Sequence, residues 1–258
     1  MRELDPELAG PRRPIFSRAA PWLFGAALVL VWEIAVPLVG IPELTLPTPG
    51  RIVGRIFQDY RILSSDSLIT FIEVVAGFLV AIAVALPLAL AIFYSRTIEK
   101  TFYPVLIALQ TVPKVALAPL LVLWFGFGFA PKIVISSLTA FFPIVIATVV
   151  GLEMLEDDMV RLMRSMGASE WQTFLKMRLP AALPSIFGGL KVGIGLSVIG
   201  SIIGEYVASE SGLGYRQLTA NAQFDSSMNF AALVVISLMG VVLFYAIHLV
   251  ELMVVRTR

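Results

Sequence analysis

The chain has 258 residues, 58% hydrophobic and 14% charged, with a formal net charge of +1 and a mean hydropathy of +0.90. Apolar residues gathered in long runs at this level exclude a soluble globular domain and describe a polytopic α-helical membrane protein. A net charge so close to zero gives no footprint for nucleic acid, the lack of cysteine excludes a disulfide framework or thiolate metal site, and His248, the one histidine, cannot form a cluster.

Residues 1–20 form a polar tail with Arg2, Arg12, Arg13 and Arg18. No small-residue cleavage pattern follows the first apolar run, so 21–39 is a retained span rather than a signal peptide. Residues 40–66 are an external segment. Pro42, Pro47 and Pro49 keep its start extended. Its GRIVGRIFQDY stretch sets Ile52, Val53, Ile56 and Phe57 on one face of an amphipathic helix at the outer interface. The second span is 68–94, followed by a tight turn, SRTIEK. The third, 102–127, is interrupted by Pro104, Pro113 and Pro119 and holds Gln110, Thr111 and Lys114 near its middle. A turn, GFAPK, leads to the fourth span, 132–151. The fifth (185–206) and sixth (229–254) flank an external loop, 207–228, with a short helix. The expectation is an all-α protein with six transmembrane helices in one domain, 21–258. The halves 21–127 and 132–254 share no motif, which argues against an inverted-repeat secondary carrier.

Basic residues set the orientation. Arg96, Lys100, Arg161, Arg164, Lys176, Arg178, Arg256 and Arg258 fall with the N-terminal arginines on one side; Arg51, Arg55, Arg61, Lys132 and Arg216 fall on the other. The richer side is the cytoplasm, so both termini are expected there.

The long polar interruption at 151–190 lies on that side too. Met159, Leu162, Met163 and Met166 follow a helical i, i+3, i+4, i+7 pattern. Glu153, Glu156, Asp157 and Asp158 precede Arg161 and Arg164, in keeping with the helix dipole, and Asp157 and Arg161 form an i, i+4 pair. Gly167 suits a left-handed helix stop. Ser169 and Gln172 read as a capping box for a second helix that Leu179-Pro180 and Pro184 break. This bent helix pair is built to be gripped from outside the membrane. Self-packing of Met159, Leu162, Met163, Met166, Trp171 and Phe174 on the protein's own helices is the open alternative, while Ala168, Ser169 and Glu170 at the turn point to a partner.

With these pieces in order, the chain resembles the permease subunits of bacterial ATP-binding-cassette importers of the type I kind, in the group handling nitrate, sulfonates, taurine and pyrimidine precursors. Members carry Glu-Ala-Ala, three residues, Gly, nine residues, an aliphatic, any residue, then Leu-Pro. Gly167, Met177 and Leu179-Pro180 match; Arg161, Leu162 and Met163 depart at the Glu-Ala-Ala positions. The fragments LPTP (46–49), Gly77-Phe78 with ALPLAL, PLLVLWFGFG (119–128), AFFPI (140–144), GEY (204–206) and SGLGY (211–215) agree in order and spacing. Glu73 departs from the arginine that members carry near that position.

The resemblance implies two permease copies forming one translocation path in the bacterial inner membrane. It also implies two ATPase subunits, holding ATP and Mg, docked on the coupling loop at about 152–184. A periplasmic or lipid-anchored protein would deliver the solute: a sulfonate, nitrate, taurine, or a pyrimidine- or riboflavin-like heterocycle. No GxxxxGK[ST] motif occurs in the chain, so the nucleotide chemistry is a partner's and this chain binds no cofactor. A stand-alone carrier or channel is the rival, and it would need an internal repeat or a charged relay. A membrane enzyme would need clustered His, Asp or Glu.

Path candidates are Gln110, Pro113, Lys114, Glu205 and Tyr206. Lys114 beside Pro113 is either a cationic point on the path or the partner of a buried acid such as Glu73 or Glu205. Lys191 is expected to snorkel to the cytoplasmic surface, and Glu33 and Glu251 to reach interfaces. Gly189, Gly193, Gly200 and Gly204 form two GxxxG pairs. They suit close packing within the bundle or a homodimer interface, the second being favoured.

Overall fold

A computed structural model describes residues 16–256. The expected tail lies outside them up to residue 15, as do Thr257 and Arg258. The described chain is helical: α1 (Phe16–Val39), α2 (Pro49–Gln58), α3 (Tyr60–Tyr94), α4 (Arg96–Thr111), α5 (Lys114–Phe125), α6 (Phe129–Glu153), α7 (Asp157–Ser165), α8 (Glu170–Thr173), a π turn (Phe174–Arg178), α9 (Leu179–Ala208), α10 (Leu213–Ala222) and α11 (Ser226–Arg256).

Four helical runs are long and apolar enough to cross a membrane: α3, α6, the continuous run Glu170–Ala208, and α11. A fifth crossing is the pair α4 and α5, bent by 96° where Pro113 removes a backbone donor. The apolar part of α1, Leu23–Val39, is shorter. Among the described residues four to five crossings are long and apolar enough, and the break at Pro113 falls in the span expected to be interrupted there.

Several boundaries differ from the sequence expectation. Helix α3 starts at Tyr60, because Leu63 and Asp66 already face the interior. The SRTIEK turn is a helix start: Ser95 Oγ accepts the Ile98 N–H (3.4 Å) and α4 begins at Arg96. The α5–α6 turn is made by Gly126 (φ +75°) and Gly128 (φ +132°), so Pro131 and Lys132 sit in the first turn of α6 and are buried. Lys132 is thus not an external loop residue. Nor does the α2 face act as one surface. Ile52 is buried against the core, whereas Val53 and Phe57 are exposed.

The core is the packing of α3, α6 and α9. Alanine-sized Cβ atoms would stand 2.6 Å from Ala147 Cβ at Gly189, 2.9 Å from Ile144 at Gly193, 2.7 Å from Ser136 Cα at Gly200 and 2.9 Å from Lys132 Cα at Gly204. The GxxxG face is thus filled by α6 of the same chain: these four glycines serve packing within the bundle and are not themselves free for a subunit interface. Hydroxyls bridge the three helices: Ser136 Oγ lies 2.6 Å from Ser197 Oγ, which donates to the Val74 carbonyl (2.9 Å).

Toward the α10 end, Glu73 (0% exposed) forms an ion pair with Lys132 (3% exposed). Ser201 Oγ donates to Glu73 (3.0 Å), and Lys132 Nζ donates to Ser209 Oγ (3.0 Å). Glu205 accepts from Thr70 Oγ1 (2.6 Å) and from the backbone N–H of Gly214 (2.5 Å). Asp66 accepts from the Gly212 N–H (3.2 Å) and Arg216 Nε (2.8 Å). Asp66 of α3 and Glu205 of α9 thus clamp α10 onto the bundle, and the Glu73–Lys132 pair ties α3 to α6 beside them. Breaking one side of the buried pair leaves an unpaired charge, a cost of about 3–5 kcal/mol, whereas replacing both partners by apolar groups is close to neutral. Glu73→Leu should sharply lower the thermal midpoint of the purified protein, and adding Lys132→Met should restore most of it, read by a detergent-based unfolding assay.

Candidate functional site

Two features stand apart from the scaffold: an exposed helical loop and a cavity at mid-bundle. In the loop, α7 closes in a Schellman turn. The Ala168 N–H bonds the Met163 carbonyl (3.0 Å) and the Gly167 N–H bonds the Arg164 carbonyl (3.0 Å), with Gly167 left-handed at φ +80°. The capping box is formed: Ser169 Oγ accepts the Gln172 N–H (3.2 Å) and Gln172 Oε1 accepts the Ser169 N–H (2.9 Å). Arg164 and Glu170 pair across the turn at 2.6 Å.

Leu179-Pro180 does not break the second helix. The Leu179 N–H reaches back to the Phe174 carbonyl, a π turn that carries α8 into α9 past the proline. Phe174 is buried with Leu152, Ala182 and Ile186, Trp171 stacks on it (centroids 5.8 Å apart), and Arg178 lies 4.8 Å above the Phe93 ring. The loop is rooted on α6 and α9 and free at its tip. Met166 (74% exposed) and Trp171 (66%) face outward, with Met159 and Leu162. Self-packing holds for Phe174 and, through one ring face, for Trp171, but not for Met159, Leu162 or Met166; Met163 is half-buried. Val160, which the periodicity missed, is the buried residue of α7. Arg161 is exposed, 3.8 Å from Asp158; the Asp157–Arg161 pairing lies outside the described side chains, as Asp157 is not among them.

The cavity, about 660 Å³, lies between α4, α6 and α9 and is lined by Gln110, Pro143, Ile146, Ala147, Ser185, Gly188, Gly189, Val192 and Leu196. One face of α9 is pressed on α6; the opposite face, with Gly188, Val192, Gly195 and Ile199, stays open. Pro113 opens the α4–α5 break beside this cavity. Lys114 Nζ donates to the Gln110 carbonyl (2.5 Å) and stands 5.3 Å from the centre of the Phe142 ring. Neither Glu73 nor Glu205 is its partner: Glu73 is paired with Lys132, and Glu205 is engaged by Thr70 and Gly214. Glu205 and Tyr206 do not join Gln110 and Lys114: Glu205 is fully buried and Tyr206 OH donates to Gln217 Oε1 (2.8 Å).

Of the remaining charged residues, the expectation changes for Lys191. Lys191 pairs with Glu251 on α11 rather than reaching the surface alone, and His248 Nδ1 lies 2.9 Å from the same carboxylate. Glu33 accepts the Gly50 N–H (2.7 Å) at the start of α2. Among the described residues no cluster of His, Asp and Glu is disposed to hold a metal ion.

Residues 77–257 match the family described as binding-protein-dependent transport system inner membrane component. The chain is 36% identical to the formylaminopyrimidine transport permease protein ThiX of Halalkalibacterium halodurans, over 90% of this chain and 92% of that protein. It is 35% identical to the riboflavin transport system permease protein RibX of Chloroflexus aurantiacus, over 89% of this chain and 86% of that protein. Among solved structures, an inward-facing form of the MetNI methionine ABC transporter superposes with a TM-score of 0.63 at 18% identity, covering 77% of this chain and 96% of that one.

The two glycines side by side on α9 separate packing from the cavity. Gly189→Ala forces a Cβ against Ala147 and should destabilise the bundle by about 1–3 kcal/mol, the usual cost of overpacking. Gly188→Ala enters open space. Thermal midpoints of the two purified variants should therefore differ by several degrees, with Gly188→Ala close to the parent.

Proposed function

The chain belongs to the family of binding-protein-dependent transport system inner membrane components, and we propose that two copies of it form the translocation path of an ATP-driven importer for a small polar solute. It is a multi-pass inner-membrane permease. The stand-alone carrier finds no support among relatives named as permeases of transport systems.

The observation that carries the proposal is the loop at 154–178. A structure that spends a Schellman turn, a capping box and a π turn on holding an apolar tip away from its own core presents that tip to another protein. With Arg161, Arg164, Lys176 and Arg178 on it, the positive-inside rule directs the loop and both termini to the cytoplasm. There each of two ATPase subunits, with ATP and Mg, grips one loop through Leu162, Met166 and Trp171. In place of Glu-Ala-Ala, Arg161, Leu162 and Met163 offer a cation and apolar surface, so the ATPase groove is read by packing rather than by a carboxylate. The second copy closes the cavity along the open face of α9. A binding protein supplies the solute from the outside, where α2 and α10 lie. The permease relatives named for formylaminopyrimidine and riboflavin support a nitrogen heterocycle, and small organic anions complete the range.

Alternating access needs the loop's shape as well as its surface, because the ATPase motion must be transmitted and not absorbed. At φ +80° a β-branched side chain is strained, so Gly167→Val should distort the turn while leaving the apolar tip in place. In the reconstituted complex the binding-protein-stimulated ATPase rate should fall on the order of tenfold with the ATPase subunits still copurifying. An unchanged stimulated rate would remove the loop from the mechanism.

A further inference from the structure

Lys114 carries a charge that no carboxylate among the described residues offsets; its ammonium has one carbonyl and the face of Phe142. Every other described lysine or arginine that lies within the packed bundle has a carboxylate or backbone carbonyl set around it by a neighbouring helix: Lys132 has Glu73, Lys191 has Glu251, Arg178 has the Leu152 carbonyl and Arg216 has Asp66. Lys114 has one carbonyl, from Gln110 on its own broken span, and no carboxylate within ion-pair distance among the described residues.

Its depth follows from its neighbour. Phe142 is at the midpoint of α6, which runs from Phe129 to Glu153, and the ammonium stands 5.3 Å from the centre of that ring. A lysine at the middle of a membrane helix is too costly to face lipid, so it faces water or protein. Lys114 does not itself line the cavity, but Gln110, whose carbonyl holds the ammonium, does, so the ammonium stands at the cavity's edge. Ser185 Oγ is already spent on the Ala147 carbonyl (2.9 Å), which leaves the Gln110 side-chain amide and the Lys114 ammonium as the polar groups on hand. One of the three ammonium donors is used; two remain.

We propose that Lys114 is the selectivity point of the path. Its free donors receive acceptor oxygens, of a carboxylate, a sulfonate or a heterocyclic carbonyl, on a solute whose apolar body lies against Ile146, Val192 and Leu196, and its charge turns cations away. The proposal rests on the permease reading above and narrows it: cationic solutes are excluded at the permease, after the binding protein has released its load.

The chain has no native cysteine, so a single introduced thiol reports cleanly on this point. Gln110→Cys places it on the residue whose carbonyl holds the ammonium. Membrane vesicles carrying the full chain with its ATPase subunits would be treated with two water-soluble methanethiosulfonates, one bearing a sulfonate and one a trimethylammonium group. The thiol should react faster with the anionic reagent. Adding Lys114→Met should lower the anionic-to-cationic rate ratio on the order of tenfold, and Lys114→Arg should keep it, because a unit charge a few ångströms away in a partly wet site is worth at least that much. Failure of both reagents to reach the thiol, or a ratio indifferent to Lys114→Met, would overturn the proposal. Copurification of the ATPase subunits from the same vesicles tests the permease reading separately: its loss would sink that reading, whereas its presence with an indifferent ratio sinks only the role of Lys114.

Discussion

The buried ion pair between Glu73 and Lys132 is the interaction on which the rest of the bundle depends. Neither group reaches solvent, and each is held by a hydroxyl as well as by its partner. In a low-dielectric interior such a pair adds little net stability over an apolar one, but it admits only one arrangement. Lys132 in the first turn of α6 meets Glu73 on α3 only if α6 lies along α3 in this register. Lys132 Cα is also the atom nearest the backbone of α9 at Gly204. One residue thus registers three helices, and the serine bridge of Ser136, Ser197 and Val74 continues the same seam toward mid-bundle.

That pair also gives a physical reason for a departure in the sequence. An acid at position 73 in place of the arginine expected of relatives looks out of place when each span is read by itself. Its meaning lies in a residue at the far end of another helix, which the sequence pattern assigned to a loop because GFAPK carries two turn residues and a charge. Periodicity and turn chemistry act over a few residues, whereas the Glu73–Lys132 pairing spans three helices. The same limit explains Lys191: a cation in an apolar run reads as a snorkelling side chain until α11 brings Glu251 beside it.

Where the determinants are local, the sequence was legible. The capping box at Ser169 and Gln172 and the left-handed stop at Gly167 are there as expected, because each is decided within four residues. The long apolar helices follow from length and hydropathy. What local reading missed is how proline acts in context. Pro113 bends a span by 96°, while Pro180, followed four residues later by Pro184, interrupts nothing. The difference lies in the π turn before Pro180, whose wider bonding carries the chain past the missing donor, and in Phe174, whose burial fixes that turn against α6. The glycine stripe on α9 likewise announced close packing without saying against what.

The run Glu170–Ala208 joins these pieces mechanically. Its 39 residues make a rod roughly 58 Å long at the usual helical rise. At one end it holds the exposed loop through Trp171 and Phe174; at the other Glu205 grips the first N–H groups of α10. Between them one face is locked on α6 through glycines with no room for a methyl group, and the other borders the cavity. A helix so tightly joined to a neighbour cannot slide on it without breaking the seam, so α6 and α9 move as one body. If a partner grips the loop as proposed, a push there would be felt together at the cavity wall and at the α10 clamp. Helix α5 belongs to that body, since Ala118 and Leu121 pack with Ile135 of α6 and against Ile203 and Val207 of α9; α4, with Leu106 as its buried residue, is the segment left on the far side of the Pro113 break, and Lys114 sits at the joint.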